Sequence, residues 1–202
     1  MEIFISIDGV LRNTLQKFDY HYKDYYLNTE SDEKETFDYG IKSNPVSIDN
    51  IVSSYNFQSE EEFKKFLYFD FPIEIFGHAG LSYNHAATEL NTLIFENPDI
   101  NVTLVGLYEK GKAKPATLFF LSKYGCQLET IKFYSTITEN WVWENSDIII
   151  TSNPKLLEKK IEGKVLIKYE TTYNVESYSD YTIKTLEEFK ELYKTLKLKQ
   201  DD

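Results

Sequence analysis

The sequence predicts an α/β protein with a doubly wound, Rossmann-like parallel sheet and a small, mostly helical insertion. The first observation is EIFISI, residues 2–7, which is too apolar on both faces for an edge strand. The second is the regular alternation of strand-like and helix-like segments after residue 80. The third is residues 15–80, which interrupt this pattern with polar, acidic and aromatic sequence of no clean period. The order is therefore a central strand, an insertion, and the rest of the sheet.

The segments after residue 80 have ordinary helix and strand boundaries. In PATLFFLSKY, Pro115 stands near the first helical turn and Gly125 follows the last one. The predicted helices are 82–95, 115–124, 140–146, 154–160 and 185–197. The predicted strands are 101–107, 128–134, 147–151 and 164–170. This alternation predicts parallel pairing, with helices on both faces of the sheet.

Residues 15–80 are expected to form a helical cap, while residues 1–14 and 81–202 form the α/β core. The cap sequence contains more large aromatic residues, as in FDYHYKDYY and LYFDF, than a small cap can bury. These residues either form the interior of the cap and its contact with the core, or form a surface that binds a protein. The sequence leaves both interpretations open.

Three segments of the cap have a local pattern. SIDNIVSSYNF, residues 47–57, and SEEEFKKFLYFDF, residues 59–71, are typical of short amphipathic helices. Ser59 and Glu62 form a capping box at the start of the second helix. PIEIFGHAG, residues 72–80, is expected to be an extended exit segment that ends at glycines.

Charge and composition argue against several classes of protein. The formal net charge of −11 argues against a non-specific nucleic-acid binder and against binding to an anionic membrane surface. The single cysteine, Cys126, allows no intrachain disulfide, and no His/Cys cluster indicates zinc. No apolar run approaches the roughly 18 residues of a membrane span, and no signal peptide is recognisable. We expect a cytoplasmic protein, or a virion protein if the Tyr-, Asn-, Lys- and Ile-rich composition reflects a phage genome.

Two segments, SIDGVLRN (residues 6–13) and DIIITSNP (residues 147–154), stand at the ends of two predicted strands. They resemble the motifs DxDGVLxD and DxLIDDxP of the haloacid dehalogenase-like (HAD) superfamily, in particular its 5′(3′)-deoxyribonucleotidase-like members with an inserted cap. The order and spacing agree as well as the residues, and the resemblance covers nearly the whole chain. It implies a HAD-type core and a phosphohydrolase site at the carboxyl ends of the strands.

The resemblance also implies a set of catalytic groups. In the family, a first Asp attacks phosphorus and a second Asp, two residues later, acts as acid and base. Late Asp residues hold Mg²⁺ together with the first one. In this sequence the nucleophile position is Ser6, the acid/base position is Asp8, and the late acidic pair falls on Thr151 and Ser152. Asp8 is therefore the one carboxylate of this set that the sequence retains.

The groups that bind the phosphoryl oxygens in the family are changed as well. The Ser/Thr position falls near Gly106, which has no hydroxyl group. The family's late Lys has no counterpart in TENWVWENS, although Lys114 or Lys132 could substitute for it. A Ser6 nucleophile would need a neighbouring base, and its phosphoserine would be hard to hydrolyse without metal and Lys.

The sequence therefore predicts a HAD frame whose phosphoryl-transfer site has been lost. Without carboxylates at positions 6, 151 and 152, a Mg²⁺ ion would retain mainly backbone carbonyls and water, with Asp8 as the one candidate side-chain ligand. We thus expect no cofactor. In that case Asp8 caps backbone N–H groups of the loop that follows it.

The expected function is a catalytically inactive HAD-like protein that serves in binding or assembly, through a protein partner or self-association. Gly9, Thr151, Ser152 and Lys114 are candidates for a cleft that could still hold a small phosphate ligand. The alternative function is a Mg²⁺-dependent, nucleotidase-like phosphohydrolase that acts on a nucleotide or another small phosphate ester.

Overall fold

A computed structural model describes residues 1–28, 37–43, 51–127, 130–134, 137–159 and 161–198. Six parallel strands form one sheet in the order β3-β2-β1-β4-β5-β6. The strands are β1 Glu2–Ser6, β2 Asn101–Gly106, β3 Thr130–Phe133, β4 Ile148–Thr151, β5 Val165–Tyr169 and β6 Tyr181–Ile183. The central position of β1, between β2 and β4, confirms the prediction made from its apolar sequence.

Helices follow the strands as the alternating pattern predicts. They are α1 Thr14–Tyr22, α2 Ile51–Ser54, α3 Glu60–Lys65, α4 Ala86–Glu96, α5 Ala113–Lys123, α6 Glu139–Glu144, α7 Pro154–Leu157 and α8 Leu186–Leu198. Wider, π-helical turns cover Lys23–Leu27, Phe66–Asp70 and Ile73–Gly77. No helix in the described ranges combines the length and apolar character needed to cross a bilayer.

Both faces of the sheet are buried. Ile3 and Ile5 of β1 pack in one cluster with residues of three helices: Leu90 of α4, Phe120 of α5 and Phe189 of α8. Phe4, which points to the opposite face, packs in a second cluster with residues of α6 and α7. This arrangement of helices on both faces is the doubly wound α/β fold that the sequence predicts.

A third cluster is built from the aromatic residues of the segment between β1 and α4. Its buried rings belong to Phe18, Tyr22, Tyr26, Tyr39, Tyr55, Phe63, Phe66 and Phe76. Tyr22 donates its hydroxyl to the carbonyl oxygens of Tyr39 and Asn56, at 2.9 and 2.7 Å. The cluster also includes Ala113 and Ala116 of α5. Most of these aromatics therefore serve as interior packing, while the division into core and cap at residues 15–80 stays a prediction.

The exit segment, residues 72–80, is not extended, so this prediction was wrong. Ile73–Gly77 forms a helical turn in which the amide of His78 donates to the carbonyl of Ile73 at 2.8 Å. Pro72 has the backbone angles of a helix start, and the turn buries Ile75 and Phe76. Because proline and glycines are typical of linkers, the sequence of this segment does not indicate a helical turn.

The predicted capping box is half formed. Ser59 accepts a hydrogen bond from the amide of Glu62 at 3.1 Å, as predicted. The Glu62 carboxylate instead accepts from the amide of Gln58 and from the hydroxyls of Tyr26 and Tyr39. The tyrosine hydroxyls need acceptors inside the aromatic cluster, and Glu62 supplies one. Residues 47–50 of the other predicted helix lie outside the described residues, and its described part includes the single turn α2.

Candidate binding cleft at the carboxyl ends of the strands

A cavity of about 290 Å³ lies where four strands of the sheet end. Its walls come from the loop after β1, from Leu107 and Tyr108 after β2, from Ser152 and Asn153 after β4, and from residues 169–173 at the end of β5. The chain order of the sheet reverses between β1 and β4, and ligands of such sheets bind at this point. We call this cavity the cleft.

Ser6 ends β1 and is buried below the cleft rather than lining it. Its hydroxyl donates to Oγ1 of Thr151, the last residue of β4, at 2.8 Å. Thr151 is itself fully buried, and its Oγ1 also accepts from the amide of Asn153 at 3.1 Å. A hydroxyl group cannot remove the proton from Ser6, so this bond holds two strand ends together without activating a nucleophile.

Asp8 lines the cleft and forms an ion pair with Arg12, which is fully buried. Its Oδ1 accepts hydrogen bonds from Nε and Nη2 of Arg12, at 3.1 and 2.8 Å, and from the hydroxyl of Thr14. The tight turn after β1 creates this contact, since the amides of Leu11 and Arg12 both donate to the carbonyl of Ile7 at 3.0 Å. The turn folds Arg12 back beneath the carboxylate of Asp8.

Arg12 also pairs with Glu109, a residue of the loop between β2 and α5. Nη2 of Arg12 lies 2.6 Å from Oε1 of Glu109, and Nη1 donates to the hydroxyl of Thr117 at 2.6 Å. Thr117 in turn donates to Oε1 of Glu109 at 2.9 Å. We call Asp8, Arg12, Thr14, Glu109 and Thr117 the Arg12 network. Within it the guanidinium directs each of its three nitrogen atoms to an oxygen acceptor.

One cation faces two carboxylates inside the protein, and this shifts two pKa values. Burial raises the pKa of the Glu109 carboxyl group and the charge of Asp8 adds to this, although Arg12 and Thr117 act in the opposite direction. For Arg12, burial lowers the pKa, but the carboxylates of Asp8 and Glu109 outweigh burial and raise it. Arg12 therefore stays charged, and the protonated form of Glu109 is favoured relative to that of an exposed glutamate.

Glu109 also fills the space at the end of β2. A Cβ atom added to Gly106 would lie 2.5 Å from Oε2 of Glu109 and 2.6 Å from the ring of Phe133. Such distances are far below van der Waals contact, so no side chain fits at position 106 without displacing Glu109 or Phe133. The Glu109 carboxylate thus occupies the space that a Ser or Thr side chain at position 106 would need.

Gly9 and Ser152 close the floor of the cleft between β1 and β4. Gly9 has a φ angle of +81°, and a Cβ atom there would lie 1.9 Å from Oγ of Ser152. Ser152 donates to the backbone carbonyl of Asp8 at 3.2 Å and accepts from the hydroxyl of Tyr173 at 3.3 Å. Asn174 donates to the carbonyls of Ser152 and Tyr169, at 3.0 and 2.9 Å. The close approach of the two loops requires glycine at position 9.

Solved structures with this arrangement of strands are known. A candidate beta-phosphoglucomutase from Thermotoga maritima superposes with a TM-score of 0.57 at 12% identity, over 96% of this chain and 98% of that one. A candidate haloacid dehalogenase-like hydrolase from Burkholderia xenovorans LB400 gives a TM-score of 0.52 at 9% identity, over 94% of each chain. The chain shares the α/β, Rossmann-like fold of these two structures. No protein-family model and no curated protein matches its sequence.

The HAD-like fold brings most of the predicted site residues together, but not the lysines. Ser6, Asp8, Gly9, Thr151 and Ser152 meet at the ends of β1 and β4. By contrast, Lys114 lies on α5 with its ammonium 5.6 Å from the ring centre of Phe133, outside the cleft lining. Lys132 of β3 lies 5.7 Å from the ring centre of Trp141 and is likewise absent from the lining.

The residues at the HAD metal position do not fit Mg²⁺. This hard ion takes carboxylate oxygens in near-octahedral geometry, whereas Ser6, Thr151 and Ser152 offer neutral hydroxyls that bond to one another or to backbone. Oδ1 of Asp8 already accepts three hydrogen bonds. Within the described ranges, no three His, Cys, Asp or Glu side chains are grouped as metal ligands would be.

Arg12 and Glu109 are the site residues that sequence reasoning missed. A charged residue directly after DGVL has the pattern of a surface residue of a loop, yet Arg12 is fully buried. A signal was present, because Asp8 and Arg12 are four residues apart with opposite charges. Glu109 gave no signal, since it stands in the polar loop YEKGK and meets Arg12 across 97 positions of sequence.

Proposed function

We propose that this chain is a HAD-like protein that does not transfer phosphoryl groups and that acts through binding. The observation that carries this proposal is the Arg12 network, in which a buried guanidinium holds the one carboxylate retained from the family's catalytic set. The HAD-like fold supplies the frame, and the fold alone does not imply an activity.

The nucleophile position supports the proposal. A serine attacks phosphorus only when a base removes its proton, and the hydroxyl of Ser6 donates to another hydroxyl, that of Thr151. Histidine, the common base, stands at positions 21, 78 and 85, and none of these residues lines the cleft. His78 is exposed and packs edge-on against the ring of Phe119.

The acid/base position supports it as well. To protonate a leaving group through Oδ2, Asp8 would first have to carry a proton, while its Oδ1 is held by Arg12 and Thr14. A protonated Asp8 would leave the buried guanidinium with one carboxylate, Glu109, in place of two. Uncompensated buried charge is costly, so the Arg12 network favours a structural role for Asp8 over an acid/base role.

Charge in the cleft also disfavours a phosphate ester. Arg12 is the one basic residue among those that line the cleft in the described part of the chain, and its nitrogens already have acceptors. Asp8 and Glu170 add negative charge to the same walls. A phosphoryl dianion binds where cations and free N–H groups converge, and this lining presents carboxylates instead.

We also propose that the protein binds a protein partner or associates with itself. Tyr20 and Phe69 are each 58% exposed, in contrast to the buried aromatic rings beside them in the sequence, such as Tyr22 and Phe66. Exposed aromatic side chains are favourable anchors in protein interfaces. Tyr20 and Phe69 are therefore the side chains to test for a role in assembly.

Phosphate release tests the proposal. The wild-type protein is incubated with nucleoside monophosphates, glucose 6-phosphate and an aryl phosphate, with and without Mg²⁺, and a HAD phosphatase serves as positive control. The expected result is release at the rate of buffer alone in every case. Magnesium-dependent release above that background, in proportion to protein concentration, would contradict the proposal.

A further inference from the structure

The cleft has polar walls that are mostly uncharged. Ser82, Ser152, Thr171 and Thr172 contribute hydroxyls, and Asn13 and Asn153 contribute amides. The charged residues of the lining are already engaged, since Asp8 pairs with Arg12 and Glu170 pairs with Lys184 at 3.0 Å. Such walls match a ligand whose own groups are neutral donors and acceptors, because a charged ligand would meet no free opposite charge.

Among the residues that the structure describes, two oxygen atoms of the lining have no hydrogen-bond partner, and both are closed to solvent. They are Oδ2 of Asp8 and Oγ1 of Thr171. Asp8 is 6% exposed, and its other oxygen is the one that Arg12 and Thr14 bind. A buried carboxylate oxygen without a donor is unfavourable, and a ligand hydroxyl that reaches it when the lining side chains adjust removes that cost. The lining thus offers a defined acceptor for an O–H group.

Aromatic side chains form the rest of the cleft. Tyr108, Tyr169 and Tyr173 line it together with Leu107 and Leu15. Tyr108 accepts a hydrogen bond from the amide of Asn153 at 2.7 Å, and Tyr173 donates to Ser152, so both rings are held in place. Held aromatic rings provide apolar faces beside polar edges, which suits a small ring with C–H faces and hydroxyl edges. The volume, about 290 Å³, stands at the small end of ligand sites.

We propose that the cleft binds an uncharged, hydroxyl-rich molecule of about monosaccharide size, in its free form rather than as a phosphate ester. A ligand hydroxyl donates to Oδ2 of Asp8, while Thr171 and Ser152 contact further hydroxyls and the tyrosine rings cover the C–H faces. This inference rests on the proposed function, because it assigns the cleft to binding and not to hydrolysis.

Paired probes test the inference. Binding of ribose, glucose, galactose and myo-inositol to the full chain is measured by saturation-transfer NMR and calorimetry, beside ribose 5-phosphate and glucose 6-phosphate. We expect at least one uncharged probe to bind saturably, and any sugar that binds to do so at least tenfold more tightly than its phosphate. Absence of saturable binding by all uncharged probes would overturn the inference, and so would tighter binding of a phosphate.

Two matched tyrosine variants locate the binding. Tyr173→Phe removes a hydroxyl that lines the cleft, and we expect it to weaken binding about fivefold to tenfold, since a lost hydrogen bond has roughly this effect. Tyr178→Phe makes the same change at an exposed ring outside the cleft and should leave affinity unchanged. Equal affinities for wild type and Tyr173→Phe would place the ligand elsewhere and overturn the assignment.

The two proposals fail in different ways. If the protein releases phosphate and binds no free sugar, the proposed function and this inference are both wrong. If it neither releases phosphate nor binds the uncharged probes, the proposed function stands and this inference alone is wrong.

Discussion

Arg12 and Asp8 form a buried ion pair directly under the cleft, with Nη2 of Arg12 2.8 Å from Oδ1 of Asp8. In the HAD motif that this sequence resembles, the residue that corresponds to Asp8 acts as acid and base on the substrate. In this chain the same carboxylate faces a guanidinium that is 0% exposed and that also holds Glu109. Arg12 therefore links the end of β1 to the loop after β2.

Removal of Arg12 should destabilise the protein strongly. Arg12→Met leaves the carboxylates of Asp8 and Glu109 buried without a cation, and we expect a loss of about 3–5 kcal/mol in the free energy of unfolding. Urea denaturation measures this loss. Lys23→Met is the matched control, because its pair with Asp19 is 2.7 Å long but exposed, and it should cost less than about 1 kcal/mol.

The double variant Asp8→Asn/Arg12→Met separates charge from packing. It leaves one buried carboxylate instead of two, so it should recover part of the stability that Arg12→Met loses. A single Arg12→Met variant as stable as the Lys23→Met control would contradict a structural role for the network.

Stability should depend on pH through Glu109. Its pKa is raised in the folded protein by burial, above the ordinary value of 4.5, so the folded state holds a proton that the unfolded state releases. The stabilisation from this proton is present below the ordinary pKa and is lost as pH rises through the raised one. The wild type should therefore lose stability relative to Glu109→Gln as pH rises above about 4.5.

Urea midpoints of the two proteins across that pH range measure this effect. The midpoint of the wild type should fall steadily relative to that of Glu109→Gln as pH rises, because glutamine mimics the protonated carboxyl group at every pH. Parallel curves for Glu109→Gln and wild type would show that Glu109 has the same pKa in both states.

Gly9→Ala should be more destructive than the same change at another glycine with positive φ. Gly111 has a φ of +52° and open space around a Cβ atom, so Gly111→Ala reports backbone strain alone, about 1–2 kcal/mol. Gly9→Ala adds a clash with Ser152 and should cost at least about 1 kcal/mol more. Thermal unfolding of both variants measures the difference, and equal losses would mean that Ser152 moves aside freely.

Aromatic residues between β1 and α4 should differ in their effect on stability, according to whether their rings are buried or exposed. Tyr26→Ser removes a buried ring and should cost about 3–5 kcal/mol, as large-to-small core substitutions do. Tyr20→Ser combined with Phe69→Ser should change stability by less than about 1 kcal/mol, since both side chains are exposed. If these two serve in assembly, light scattering will show a smaller assembly for the double variant, and an unchanged mass would exclude them from the interface.

Strands β1 to β5 were predictable because most of them are short apolar runs with turn residues on either side. β1 and β4 consist almost wholly of buried residues, and the continuous runs of apolar residues in their sequences indicate this. β6 was missed because Tyr181–Ile183 has three residues, of which Ile183 alone is buried. Segment 72–80 was misassigned because Pro72 and its glycines resemble a linker, whereas tertiary burial of Ile75 and Phe76 favours a helical turn.

The site was predictable where it depends on strand ends, and not where it depends on pairing across the fold. The positions of Ser6 and Thr151 follow from parallel register, which places the ends of β1 and β4 side by side. The Arg12–Glu109 contact spans 97 positions, and no local period encodes it. Buried charge is rare enough that a sequence alone predicts Arg12 on the surface.

We propose that Asp8 stabilises the fold and does not act on a substrate. The most direct measurement compares the wild type and Asp8→Asn for Mg²⁺-dependent phosphate release, at equal concentrations of protein whose folding has been verified. We expect both proteins to release phosphate at the background rate, while Asp8→Asn unfolds at a lower urea concentration than the wild type. Magnesium-dependent release by the wild type that Asp8→Asn abolishes would contradict this proposal, because Asp8 would then act on substrate despite its bond to Arg12.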